Sequence, residues 1–323
     1  MHNPPDFLAF AAWHPKWTGA KLILDIHDIV PELFASKFAN RAGNRYTGLL
    51  EKIEKASTSY VDHVIVSNHL WQQTLISRSV PLEKCSVFVN HVDPRIFYQR
   101  PRTRKDEKFI IIFPGGFQWH QGLDIAIEAF NRIKDKVPNA EFHLYGGGPM
   151  EASLKELTAK LDLNDRVKFF GNMSLDLIAD VISNADLGVV PKRSDSFGNQ
   201  AYSTKIMEFM SQGVPVVLSK TKIDSFYFDE QVVRFFPSGD VQAMADAMLE
   251  VIQDRELRDD LVARGLEYAA RNDWSEKKKE YFELVDTLIT EVFDTAGAAI
   301  SANPESVSLP VSTSESDHKL VSK

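Results

Sequence analysis

The chain has 323 residues, with 37 Lys plus Arg against 45 Asp plus Glu, a formal net charge of −8 with histidines neutral. Hydrophobic residues make 44% and charged residues 25%, and 21 Phe with 5 Trp demand burial, so a wholly disordered chain is excluded and two domains are expected. The acidic balance argues against nucleic-acid binding, and the lone Cys85 excludes an intramolecular disulfide and a Cys-built zinc cage.

Residues 1–100 hold 11 basic and 9 acidic side chains, so the rest of the chain carries −10. The split suits two units facing different partners, although so small an excess is also within chance. No apolar run approaches the roughly 18–20 residues that span a bilayer. The N-terminus, MHNPPD, lacks a basic n-region and a cleavage pattern. A cytoplasmic protein is expected, with room for peripheral contact at the inner membrane face.

In chain order, residues 7–13 suit a short helix and 21–27 (KLILDIH) a buried strand. A helix is predicted over 46–60, a strand over 61–67 (VDHVIVS), a helix over 68–77 and a strand over 85–89. Residues 90–104, with Pro94 and Pro101, read as a linker. The alternation then restarts, with strands over 108–113, 140–145, 167–170, 187–190 and 214–218. Helices are predicted over 123–136, 150–161, 175–183, 202–212, 240–254 and 256–271. Alternating strands and helices predict parallel sheets covered by helices, with ligands at the carboxyl ends of the strands. The serine-rich stretch 296–323 has no aromatic residue and no periodicity, and is expected to be a disordered tail.

Four constellations stand out. Residues 113–122 (FPGGFQWHQG) join a strand to a helix, and glycines there let backbone N–H groups approach a phosphate; a tight turn is the plain alternative. Residues 144–149 (LYGGGP) repeat that plan, with the same alternative. In 195–210, Ser203 and Thr204 lie near a helix start, and Lys205 and Glu208 share a helical face. A helix start with a lysine suits a diphosphate, and a carboxylate one turn deeper suits ribose hydroxyls. Finally, 25–32 (DIHDIVPE) puts His27, Asp28 and Glu32 after a strand, where acid–base groups commonly sit. No second histidine has ligand spacing to His27, and His63, His69 and His91 are scattered, so no metal site is expected.

Together these stretches resemble the retaining nucleotide-sugar glycosyltransferases of the GT-B fold, namely glycosyltransferase family 4 with its group-1 C-terminal domain. The resemblance runs from about residue 2 to about residue 283 and is strongest over 196–224 (SFGNQAYSTKIMEFMSQGVPVVLSKTKID). HNPPDFL, LDIHDIVPELF, VSNHL, VNHVDPRIF, FPGGFQWHQGLDIAI and LYGGGPME follow the family order.

The resemblance implies two Rossmann-like parallel-sheet domains. They would be a partial N-terminal acceptor-side domain over 1–98, a linker over 99–107, and a nucleotide-sugar-binding domain over 108–295. It implies transfer of a sugar from a nucleotide-diphosphate donor to a glycan or lipid-linked acceptor, with retained configuration and no cofactor or metal. Gly115 and Gly116 would face the diphosphate beside Gly198, Asn199 and Lys205. Glu208 would bind the ribose, and His27 would lie near the reacting sugar.

Three departures stand out. Gln200 replaces the first Glu of the family's paired-Glu motif, keeping an acceptor oxygen without the charge. Gly116 and Gln121 stand where an Arg and a Lys are common, leaving Lys205, Lys192 and His120 as the groups to replace that charge. The first domain is short against the roughly 150 residues of such domains. A donor-binding fragment with impaired catalysis is therefore the alternative expectation. A sugar-nucleotide epimerase or phosphorylase on the same plan is disfavoured, since no pyridoxal-phosphate lysine segment is matched.

Overall fold

A computed structural model describes residues 1–37 and 41–301; for 36, 37, 41–45 and 291–301 the backbone alone is described. The first sheet has three strands, β1 (Ile23–Ile26), β2 (His63–Val66) and β3 (Cys85–Val87), in the order β1-β2-β3. All pairings are parallel, with Asp25 opposite Ile65 and Ile65 opposite Ser86. A 3₁₀ segment, Asp6–Ala12, leads into helix α1 (Trp13–Trp17). Helices α2 (Val30–Lys37), α3 (Arg41–Tyr60) and α4 (His69–Arg78) complete this half. Leu24, Ile26, Val64 and Val66 alternate along their strands onto one face, where they form a core with Trp71 and Leu75. Cys85 is buried in the same core, and burial pushes its thiol up to about 11, so it is a packing residue.

The second sheet contains β4 (Phe109–Pro114), β5 (Ala140–Tyr145), β6 (Val167–Phe169), β7 (Leu187–Val190), β8 (Val216–Lys220) and β9 (Arg234–Pro237). Its order is β6-β5-β4-β7-β8-β9, all parallel. This is the doubly wound dinucleotide-fold order, and the chain reverses direction across the sheet between β4 and β7. Helices α5 (Leu123–Ile133), α6 (Glu151–Lys160) and α10 (Val241–Gln253) supply one core with Phe113, Phe130 and Phe142. Helices α7 (Leu175–Ser183), α8 (Thr204–Ser211) and α11 (Arg255–Arg271) supply the opposite core around Ile112, Phe209 and Leu218. Helix α9 (Lys222–Tyr227) links β8 to β9, and α12 (Trp274–Ser301) follows α11.

The predicted strands and helices recur with shifted ends, the helix expected over 7–13 as the 3₁₀ segment Asp6–Ala12, while α1, α2, α9, β9 and α12 were not anticipated. Residues 296–301, expected to belong to a disordered tail, instead continue the helical backbone of α12. Residues 302–323 lie outside the described residues. The chain divides into two compact units, Met1–Tyr281, which holds both sheets, and the segment from Phe282.

The linker is clamped to the second sheet rather than loose. Asp186 accepts from Arg104 Nη2 at 2.6 Å and from the Ile110 N–H at 2.7 Å, and also pairs with Arg102. Asn184 Oδ1 accepts from the Thr103 and Arg104 N–H groups at 2.9 and 3.0 Å.

Candidate active site

The β4 and β5 ends build the first wall. The Gly115 N–H donates to Tyr145 O at 2.8 Å, and the Phe117 N–H donates to Gly147 O at 2.9 Å. The two Gly-rich turns are thus one interlocked unit. Gly146 has φ +136°, and a Cβ there would stand 1.9 Å from Gly115 O, so only glycine permits the approach. At Gly115 a Cβ would meet Lys205 Cε at 2.5 Å, which brings the lysine stem directly against the turn.

The second wall is the start of α8, which follows β7 across the reversal point. An α-helix leaves its first N–H groups without intrahelical partners and carries partial positive charge there. Thr204 and Lys205 open this helix. A cavity of about 330 Å³ lies between the walls, lined by Gly115, Gly116, Tyr145, Thr204, Lys205 and Glu208 among others. Asn172 and Met173 from the loop between β6 and α7, and Ile178 of α7, line one side of it.

A second cavity of about 220 Å³ continues from Thr204 and Lys205 into the cleft between the two sheets. There His27 and Asp28 from the β1 end face His120, Lys192, Phe197 and Ser203. Lys205 therefore borders both spaces. Burial lowers its ammonium below the ordinary lysine range, and Lys192 adds to this against the pull of Glu208. Burial likewise raises the Glu208 carboxyl, against the attraction of Lys205 and a hydrogen bond from Thr204. The Lys205 ammonium also lies 5.1 Å from the Phe113 ring centroid.

Lys192 is committed elsewhere. It pairs with Asp224 at 2.9 Å and donates to Ala201 O at 2.7 Å, with both ionic side chains almost fully buried. It anchors the loop before α8 as well as lining the cleft. Arg193 is also held, by Asp124 at 2.6 Å and by stacking 4.6 Å from the Trp119 ring centroid.

Other expected residues sit differently. Gly198 and Asn199 line neither cavity. Gly198 is pressed against Arg193 O, and the Asn199 side chain donates to Ser194 O at 2.6 Å and accepts from the Lys222 N–H at 3.2 Å. They shape the loop and hold it to α9. Gln200 gives its backbone oxygen to Asn68 Nδ2 at 3.0 Å, while its buried side-chain oxygen has no hydrogen-bond partner. The buried Ser203 hydroxyl likewise has none. Unpaired buried polar atoms are costly and call for an explanation, of which a ligand group is one.

Asn68, Asn172 and Met173 were missed by sequence reasoning. Asn68 is fully buried, caps α4 by accepting from the Trp71 N–H at 2.9 Å, and ties the first sheet to Gln200. The scattered histidines are each engaged: His63 with Ser86 Oγ at 2.9 Å, His69 with Tyr227 OH at 2.7 Å and His91 with Asn272 O at 2.6 Å.

Two parallel α/β sheets facing one cleft, with the cavity at a reversal point, define the GT-B glycosyltransferase fold. Solved structures agree on that fold. Sucrose-phosphate synthase from Thermosynechococcus elongatus superposes with TM-score 0.73 at 20% identity, covering 88% of this chain and 72% of that one. HepE from Anabaena, solved in complex with UDP, superposes with TM-score 0.68 at 17% identity, covering 86% and 75%. The model of the family "Glycosyl transferases group 1" matches residues 95–268, and the chain belongs to that family.

Among curated relatives, the amylovoran biosynthesis glycosyltransferase AmsK of Erwinia amylovora is 30% identical over 188 residues, 58% of this chain and 46% of that protein. The phosphatidylinositol N-acetylglucosaminyltransferase gpi3 subunit of Schizosaccharomyces pombe is 27% identical over 256 residues, 78% and 52% respectively. The chain spans about half the length of these relatives. Among the described residues, no helix is long and apolar enough to cross a membrane.

Proposed function

We propose that this chain carries the donor site of a glycosyltransferase that moves a sugar from a nucleotide-diphosphate donor to a glycan or lipid-linked acceptor with retained configuration. The observation that carries this reading is the Gly115–Gly116 turn facing Thr204, Lys205 and Glu208 across one cavity that opens at Lys205 into the His27 cleft. In this reading the α8 start and the Lys205 ammonium hold the diphosphate and stabilise the charge that grows on it as the glycosidic bond breaks. The Gly turns admit it closely, and Glu208 accepts from the ribose hydroxyls. The sugar then lies toward His27 and His120, and the acceptor approaches from the first sheet's side of the cleft. Ser203 Oγ, in the lining of the second cavity, offers an unpaired polar atom to the donor sugar or acceptor; the unpaired Gln200 Oε1 lies next to Ala201 of that lining but is not part of it. Domain limits at 1–98, 99–107 and 108–295, and contact with a membrane surface through the first of these, belong to the same proposal.

The test is a thermal-shift screen with UDP-, GDP- and ADP-sugars, followed by assays for transfer and slow donor hydrolysis. A ligand that binds only the native state raises its melting temperature. One nucleotide series is expected to stabilise the protein, with measurable hydrolysis; no stabilisation by any of them contradicts the reading. Stabilisation without hydrolysis, cured by Gln200→Glu, would assign the chain to donor binding with impaired chemistry.

A further inference from the structure

We infer that His2, Asp25 and His27 form a binding site for a divalent transition-metal ion of the Zn²⁺ type. The backbone brings them together. Residues 1–3 run parallel to β1: the Met1 ammonium donates to Ile23 O at 2.8 Å, the Asp25 N–H to Met1 O at 2.7 Å, and the Asn3 N–H to Asp25 O at 3.0 Å. His2 is bridged to Asp25 in this added ladder. His27 lies two residues beyond Asp25, so its side chain emerges from the same side of the strand.

The ligand atoms converge. His2 Nδ1 lies 3.0 Å from Asp25 Oδ2 and 2.8 Å from His27 Nε2, and His27 Nε2 lies 3.4 Å from Asp25 Oδ2. Protons alone serve this poorly. Each imidazole nitrogen carries at most one hydrogen and an ionised carboxylate carries none. If both nitrogens were protonated, both hydrogens would crowd onto the one Asp25 oxygen with the two nitrogens only 2.8 Å apart. If only one were, a single hydrogen would have to serve two acceptors. One cation at the common point engages all three lone pairs together.

The donor set is two imidazoles and a carboxylate, the kind that leaves zinc one open position. Ligand atoms about 2.0–2.2 Å from zinc stand about 3.3–3.5 Å apart in a tetrahedron, so the trio needs to open by only a few tenths of an ångström. His2 is largely exposed and can yield. The other side is braced. Asn3 Oδ1 accepts from the His27 N–H at 2.7 Å, and Asn3 Nδ2 donates to Asp6 Oδ1 and to Asp28 O, both at 2.7 Å. Asn3 and Asp6 are buried, so this clip fixes the end of β1. Among the described residues, no other trio of His, Cys, Asp and Glu converges this way.

The site shares His27 with the cleft proposed to hold the sugar, but its test reads metal binding alone and needs no sugar transfer. Chelator-stripped protein without a polyhistidine tag is titrated with Zn²⁺ against a chromophoric competitor. About one Zn²⁺ per chain is expected. His2→Ala and His27→Ala should each weaken binding by at least about tenfold, whereas His14→Ala should not. Because His2 is exposed, its replacement leaves the fold intact, and melting curves of the metal-free proteins verify this. Co²⁺ should give the visible bands of a four-coordinate site in the wild type and lose them in His2→Ala. Equal Zn²⁺ affinity in the wild type and the His2→Ala/His27→Ala double variant, or no binding by the wild type, overturns the assignment.

Discussion

Lys205 is the cation that the Gly115 turn touches and that both cavities share. A hydrogen bond to a charged group contributes about 1.5–3 kcal/mol, so Lys205→Ala should weaken nucleoside-diphosphate binding by at least about tenfold, read by calorimetry. A bound diphosphate favours the protonated amine. Affinity should therefore fall as pH rises through the lowered Lys205 range, earlier than an ordinary lysine allows. Acidification should weaken nucleoside-diphosphate binding as Glu208 protonates, above the usual carboxylate range. Lys205→Ala should abolish the alkaline limb of that profile and spare the acid one. At Gly146, alanine meets both a left-handed φ and the Gly115 carbonyl, so Gly146→Ala should cost more than about 2 kcal/mol in urea unfolding and loosen the donor turn. Lys205 and Glu208 were legible because three residues on a helix put them on one face. Asn68 was not, because its role depends on a contact with Gln200, 132 residues away.

The elements hold the site through a few committed ion pairs. Lys192 and Asp224 are nearly inaccessible, and removing one partner strands the other charge. Lys192→Met should cost about 3–5 kcal/mol in denaturant unfolding, and Lys192→Met with Asp224→Leu should recover part of that loss. Asp186→Asn should release Arg102 and Arg104 and speed proteolysis within 99–107, with the cut sites read by mass spectrometry. A linker reading from Pro94 and Pro101 could not anticipate the clamp, which depends on where β7 begins. Strands such as Phe109–Pro114 were readable from their own apolar runs. Strand β9, Arg234–Pro237, was not, since its four residues show no distinct pattern and form a strand by pairing with β8.

At the scale of the whole molecule, the order β6-β5-β4-β7-β8-β9 puts the β4 turn and the start of α8 on either side of one reversal point. Strand and helix alternation announced the parallel sheets, but strand order is a property of long-range pairing that no local pattern carries. The same holds for the His2–Asp25–His27 trio: two of its members stand 25 residues apart, and a metal site was not expected from their spacing. Gly198 and Asn199, placed beside the diphosphate by resemblance, instead brace the loop that presents α8. The donor site is the central claim, and calorimetric titration with UDP, GDP and ADP, on the wild type and on Lys205→Ala, tests it most directly. One nucleoside diphosphate should bind at a single site, with affinity reduced at least about tenfold by Lys205→Ala. No binding by any of the three, or equal affinity in both proteins, would contradict it.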